Sequence, residues 1–290
     1  MKPKGKLLII GGAEYKGDVE DSLYVKERSK EYNRLEILRE LIHSHKQRKI
    51  EVITSGSQIV NLVKQDYQRA FRKLGYPNPG FLDIKDKIEA RDKKYIHRVE
   101  EAGAILFTGG DQFRLATIIG GTKILDIIKH KYLDEKDFII AGTSAGAMVM
   151  PEIMITEGGT EEALIDRDLK TSSGLSILRD CIIDTHFIKR GRFGRLAHAV
   201  IINPDHLGIG LGEDTALIIK NGSDAECRGS GMVVIIDGKN IRQTNMTEAS
   251  EGDPVFVENL KVHILVKGCR FSVKTRRLLN PTINIKSPKN

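Results

Sequence analysis

The chain has 290 residues, 40% hydrophobic and 29% charged, the balance of an ordinary globular protein rather than a disordered one. No apolar run approaches the roughly 18 residues that a membrane span needs, and the length leaves room for one domain or two. The net charge of +7 is local: residues 260–290 carry five lysines, three arginines and no acidic residue, so the other 259 residues sit one unit below neutral.

That basic end could meet nucleic acid or an acidic partner. It lacks interleaved aromatics and any nucleic-acid motif, so it reads as a solvated face, and nucleic acid is not an expected partner. Cys181, Cys227 and Cys269 stand far apart, with no spacing that suggests zinc or a disulfide framework; they read as core residues. Neither a metal nor another cofactor is expected.

The N-terminus, Met1 to Lys6, is basic, but Leu7–Ile10 is too short for a signal peptide, turns at Gly11-Gly12 and meets Glu14. It reads as a first strand, with the cytoplasm as the default location. Further strands are expected at Ile50–Thr54, Gly80–Ile84, Ala104–Thr108, Phe138–Ala141 and Cys181–Phe187. Helical spacing appears in Arg34–His43 (Leu35, Leu38, Leu41, Ile42) and Ile59–Leu74 (Val60, Val63, Tyr67, Ala70, Phe71, Leu74). Gly75 to Gly80, with two prolines, is a stop. This alternation favours a parallel sheet covered by helices on both faces. Beyond about Gly208 come short runs (Leu217–Lys220, Met232–Asp237, Val262–Val266) and two hairpin signals, Asn221-Gly222 and Asp237-Gly238. No linker precedes them, so residues 208–275 are expected to add antiparallel strands to the same sheet, within one domain spanning 1–290. The last residues, with Pro281 and Pro288, are expected to be loosely ordered.

The chemistry begins at Phe138–Ala147, an apolar strand leading into Gly142-Thr143-Ser144-Ala145-Gly146 and a helix-compatible segment. This is the pattern of a nucleophile elbow, with a serine exposed on a tight strand-to-helix turn. A plain tight turn is the bland alternative. A serine hydroxyl needs a base, and the base an orienting carboxylate. Of eight histidines, His43, His45, His97 and His130 lie in polar stretches, His198 in a helix-like segment, and His206 and His263 have no functional context. His186 stands apart at the end of an apolar run, where open α/β sheets carry their sites. Arg190, Arg192 and Arg195 follow it, and a helix starting near Arg192 would put the last two on one side. Guanidinium forks suit carboxylates, so a substrate bearing carboxylate is implied. Thr108-Gly109-Gly110-Asp111-Gln112 follows another strand. The Gly110 amide, with that of Ala145, could hold a developing oxyanion, and Gln112 could bond substrate backbone. The orienting carboxylate stays open between Glu213, after the strand-like run 208–212, and Glu157, Glu161 and Glu162. The glycines of 208–212 do not open a helix as G-x-G-x-x-G would, and no P-loop or metal-ligand spacing is present.

Taken together, Ile9-Ile10-Gly11-Gly12-Ala13-Glu14, Thr108–Gln112, Gly142–Ala147, His186 with Arg190, Arg192 and Arg195, and Leu207–Thr215 resemble the cyanophycinases, serine peptidases of the S51 group that also contains aspartyl dipeptidase. The segments run in family order through most of the first 220 residues. The resemblance implies an α/β, flavodoxin-like three-layer sandwich related to class I glutamine amidotransferases, with a mostly parallel sheet. It implies Ser144 as nucleophile, His186 as base and Glu213 as the third member, with Glu162 as the alternative acid. It carries substrate contacts onto Gln112, Asp184, Arg190, Arg192 and Arg195. One position departs: the family usually reads Asp-Gln-His-Phe where this chain has Asp184-Thr185-His186-Phe187, which puts fine specificity at Thr185 in doubt.

The expected function is therefore a serine exopeptidase that cuts cyanophycin, poly-aspartate with arginine on its β-carboxyls, into β-Asp-Arg dipeptides without a cofactor. Rival readings are an aspartyl or isoaspartyl dipeptidase of the same fold, and a non-enzymatic binding protein on this scaffold. Family members are commonly dimers, so a homodimer stays open.

Overall fold

A computed structural model describes residues 2–16, 35–43, 48–159 and 163–279. Its first half alternates strands and helices: β1 (Lys6–Ile10), α1 (Glu36–His43), β2 (Ile50–Ile53), α2 (Val60–Lys73), β3 (Gly80–Leu82), α3 (Lys93–Glu101), β4 (Ala104–Phe107), α4 (Gln112–Ile119), α5 (Lys123–Asp134) and β5 (Ile139–Thr143). There follow the one-turn α6 (Ala145–Met148), β6 (Ile153–Glu157), β7 (Lys170–Ser173), β8 (Cys181–Asp184), α7 (Phe193–Ile202), β9 (Leu207–Leu211), β10 (Thr215–Lys220), β11 (Asp224–Gly229) and β12 (Val233–Asp237). The short β13 (Gln243–Thr244) and β14 (Val257–Glu258), then β15 (Lys261–Leu265), β16 (Arg270–Ser272) and β17 (Arg277–Leu279), complete the described chain.

The main sheet has nine strands in the order β17-β16-β11-β10-β1-β5-β4-β2-β3. Its β1-β5-β4-β2-β3 half is parallel throughout. These strands read as unbroken apolar runs because both faces are covered. Leu8, Ile10, Val52, Leu106 and Ala141 point to one face, where Ile37, Leu38 and Leu41 of α1 and Tyr67, Ala70 and Phe71 of α2 bury against them. Leu7, Ile9, Ile105, Phe107 and Ile140 alternate to the other face, against Val99 of α3, Leu115 of α4 and Ile128 of α5. Helices thus lie on both faces, as the alternation predicts.

The second half departs from expectation. Strands β10, β11, β16 and β17 do extend the main sheet antiparallel, and Asn221-Gly222 sits in the tight connection between β10 and β11. Strand β8, however, does not join that sheet. It pairs parallel with β9 in a second sheet of order β15-β12-β9-β8. Strands β12 and β15 join it as well, so the antiparallel additions divide between two sheets. Asp237-Gly238 ends β12 but closes no tight hairpin, because β12 pairs with β9 and β15. Apolar period marks a strand without naming its neighbour. Ile182, Ile183, Ile209 and Val233 of the second sheet and Leu196 and Val200 of α7 pack into the same core cluster as the α3–α6 face of the main sheet. Cys181 and Cys227 are buried and Cys269 is half-buried.

Candidate active site

The two sheets meet where β1 runs out. Three successive carbonyls there accept three backbone amides from distant parts of the chain: Ile10 from Ser144 (3.1 Å), Gly11 from His186 (2.8 Å) and Gly12 from Asp214 (3.0 Å). One turn of backbone thereby gathers the end of β5, the segment after β8 and the segment after β9. Each ladder bond is directional, so the three segments are fixed in distance and orientation together.

Ser144 occupies the elbow with φ 53° and ψ −119°, a conformation costly for a residue with a Cβ. The glycines around it are there for closeness. A Cβ on Gly142 would lie 2.1 Å from the Gly146 carbonyl oxygen, and one on Gly146 would lie 2.2 Å from that of Phe107. Helix α6 can therefore leave the strand end only with glycine at both positions. Ser144 remains half-buried while its neighbours on both sides are buried.

The Ser144 Oγ stands 3.0 Å from His186 Nε2, and His186 Nδ1 stands 2.7 Å from Glu213 Oε1. Burial pushes the Glu213 carboxyl up, but hydrogen bonds from His186 and Lys189, with their charges, pull it below its ordinary value. An ionised Glu213 assigns the imidazole proton to Nδ1, which leaves Nε2 to accept the serine hydroxyl. Glu157 does not compete: it is exposed and paired with Lys170. Glu161 and Glu162 lie outside the described residues.

Gly109 and Gly110 follow β4 and abut the nucleophile; a Cβ on Gly109 would sit 3.4 Å from that of Ser144. Ala145 is the first residue of α6, so its amide has no intrahelical acceptor. Gln112, expected to face substrate, instead donates its amide N–H to the Ile155 carbonyl of β6 at 3.0 Å.

The arginine cluster is arranged differently from a set of free substrate grips. Asp184 is fully buried and accepts Arg195 through two bonds, 2.5 Å to Nε and 2.6 Å to Nη2. Arg192 Nη1 reaches the same carboxylate at 3.1 Å and the Thr185 carbonyl at 2.8 Å. Burial is the main influence lowering the pKa of Arg192. Two guanidinium groups thus share one carboxylate, and a positive charge is left over. Arg190 is exposed and has no side-chain partner among the described residues. The Thr185 side chain is fully buried and its Oγ1 has no hydrogen-bond partner, so the residue acts through its backbone rather than as a side-chain contact. Asp184 thus ties Arg192 and Arg195 into one charged cluster, while Arg190 stays exposed.

Sequence reasoning passed over two contributors. Lys189 Nζ lies 3.1 Å from Glu213 Oε2; it sits inside the Arg-rich stretch, where its exposed position gave no cue. Glu14, buried to 3% exposure, accepts hydrogen bonds from Thr143 Oγ1 (2.6 Å) and from the Tyr67 hydroxyl. A buried acid two residues after Gly-Gly was the available signal. Among the described residues, no three His, Cys, Asp or Glu side chains form a group that could hold a metal ion.

A serine on an elbow, in line with an imidazole and a carboxylate, is the equipment for acyl transfer in a mixed α/β protein. The sequence model of peptidase family S51 matches residues 25–226. A cyanophycinase of Geminocystis herdmanii (strain PCC 6308) is 33% identical over 276 residues, 94% of this chain and 96% of that protein. A cyanophycinase of Trichormus variabilis is 33% identical over 238 residues, 82% and 80% of the two chains. The chain belongs to peptidase family S51. Its fold is similar to that of a crystal structure of a peptidase from an acI-B1 Actinobacterium, with TM-score 0.64, 24% identity, and 93% and 98% of the chains covered. No described helix is long and apolar enough to cross a membrane.

Proposed function

We propose that this chain is a serine exopeptidase that hydrolyses cyanophycin to β-Asp-Arg dipeptides, working as one S51 unit on a flavodoxin-like, amidotransferase-like sandwich. The cyanophycinases among its relatives supply the substrate class. The observation that carries the reading is the unbalanced charge on the segment of the base, His186, where Asp184 offsets only one of Arg192 and Arg195 and Arg190 stands outside the pair. A carboxylate-rich chain supplies the missing anion, and bidentate geometry favours a carboxylate.

In this mechanism the Ser144 hydroxyl attacks an aspartyl carbonyl carbon while its proton passes to His186 Nε2. Glu213 steadies the resulting imidazolium, and the amides of Gly110 and Ala145 receive the oxyanion. Collapse of the adduct breaks the amide bond; His186 returns the proton to the leaving amine. Water, deprotonated by His186, then opens the acyl-enzyme and restores Ser144. The test is mass spectrometry of products from purified cyanophycin. Ser144→Ala is expected to cut β-Asp-Arg release by about 10⁴-fold or more. Undiminished release by that variant sinks the mechanism.

A further inference from the structure

Beside Ser144 opens a cavity of about 530 Å³ that none of the three arginines lines. Its wall carries Glu14, Asp66 and Asp111 against one lysine, Lys16. The cavity therefore has the opposite charge from the arginine cluster, which lies on the segment that carries the base, His186. Glu14 forms its buried acidic floor. Burial raises the Glu14 carboxyl, but the charge of Lys16 and the hydrogen bonds from Thr143 and Tyr67 lower it further, so it is ionised at neutral pH. A desolvated carboxylate at this place opposes negative charge developing on an oxyanion, unless a cation sits with it.

The cavity already shows what kind of cation fits. Lys16 Nζ lies 3.2 Å from Glu14 Oε1 and 5.1 Å from the centre of the Tyr67 ring, an ion pair and a cation–π contact made together. Asp66 is partly engaged with Arg69, and Asp111 caps α4 through one oxygen. Resting on the cyanophycin reading above, we propose that this cavity is the subsite for the cationic side chain of the substrate, a guanidinium that displaces the Lys16 ammonium from Glu14 and the face of Tyr67. Glu14 and Tyr67 are then specificity-determining residues. The site reads a zwitterionic unit from two directions: carboxylate at the arginines and guanidinium at Glu14.

The experiment pairs turnover with binding. Cleavage rates are compared for β-linked aspartyl-arginine oligomers and for the same oligomers with citrulline, which keeps the shape of arginine and loses its charge. Wild type is expected to prefer arginine by about 10- to 100-fold, the worth of one charge-assisted hydrogen bond, and Glu14→Gln to bring that ratio close to one. In parallel, calorimetry with agmatine, a guanidinium without a carboxylate, needs no turnover. Agmatine is expected to bind wild type, to bind Lys16→Met several-fold more tightly once the competing ammonium is gone, and to lose binding in Glu14→Gln. Should Glu14→Gln not fold, the Lys16→Met comparison decides, because that side chain is partly exposed. Equal rates on both oligomers, or agmatine binding that neither substitution changes, overturns the subsite while leaving peptidase activity standing. Agmatine binding that depends on Lys16 and Glu14, in an enzyme that releases no β-Asp-Arg, keeps the subsite and removes the cyanophycin reading.

Discussion

The nucleophile side of the site and its base side are held by different forces. Ser144 stands at the end of β5 in the parallel half of the main sheet, where backbone packs against backbone and two glycines set the clearance. His186 and Glu213 follow strands of the second sheet, where charged side-chain pairs, Asp184 with Arg192 and Arg195 and Lys189 with Glu213, add to the backbone bonds. The Ile10–Gly12 turn is the only backbone found to bond all three segments among the described residues. Packing against backbone tolerates almost no change in volume. Charged pairs tolerate changes in shape but not the loss of a partner.

Breaking a charge pair on the base side is expected to have the largest effect. Asp184→Asn keeps the volume and leaves two guanidinium groups without their buried counter-ion, at a cost of about 3–5 kcal/mol in stability. Urea unfolding measures it. A loss under about 1 kcal/mol would mean that Arg192 and Arg195 are solvated, and that the base side does not depend on this cluster.

The next substitution strikes the turn that joins the two sides. A Cβ on Gly12 would lie 2.4 Å from His186 Nε2, and its φ of +97° disfavours any other residue. Gly12→Ala therefore pushes the imidazole away from Ser144. A displacement of this order costs about 10²-fold in rate, expected in kcat with KM little changed, while the circular dichroism spectrum stays that of the native fold. A parallel rise in KM would show that the turn serves binding and not the alignment of Ser144 with His186.

The same contrast explains what could be read from residues alone. The parallel half was legible because strands covered on both faces and amphipathic helices announce themselves through period: β1, β2, β4, β5 and α2 fall within a residue or two of expectation. Ser144 was legible because an elbow requires glycine at 142 and 146. The second sheet was not, since the pairing of β8 with β9 is a long-range choice that Cys181–Asp184 cannot express in their own spacing. The resemblance to family S51 singled out Glu213, whereas spacing had left four glutamates level. Charge count could not show the pairing within the cluster: Asp184, a single acid two residues before His186, binds Arg192 and Arg195.

The smallest expected effect tests whether Lys189 belongs to the base side at all. The folded-state pKa of Glu213 lies below its ordinary value of 4.5, through His186 and Lys189 and against burial. A depressed carboxyl contributes stability in full above its unfolded pKa and loses that contribution as the pH falls through the folded value. Lys189→Met removes one of the two cations, so less stability remains to be lost on acidification. With the Glu213 side chain 26% exposed and that of Lys189 72% exposed, solvent screens the pair, and the difference is about 0.2–1 kcal/mol. Unfolding by urea at pH 7 and again near pH 3 should therefore show a smaller drop for the variant than for wild type. An equal drop would assign the stabilisation of Glu213 to His186 alone, making the base side a two-member chain and Lys189 a neighbour in space only.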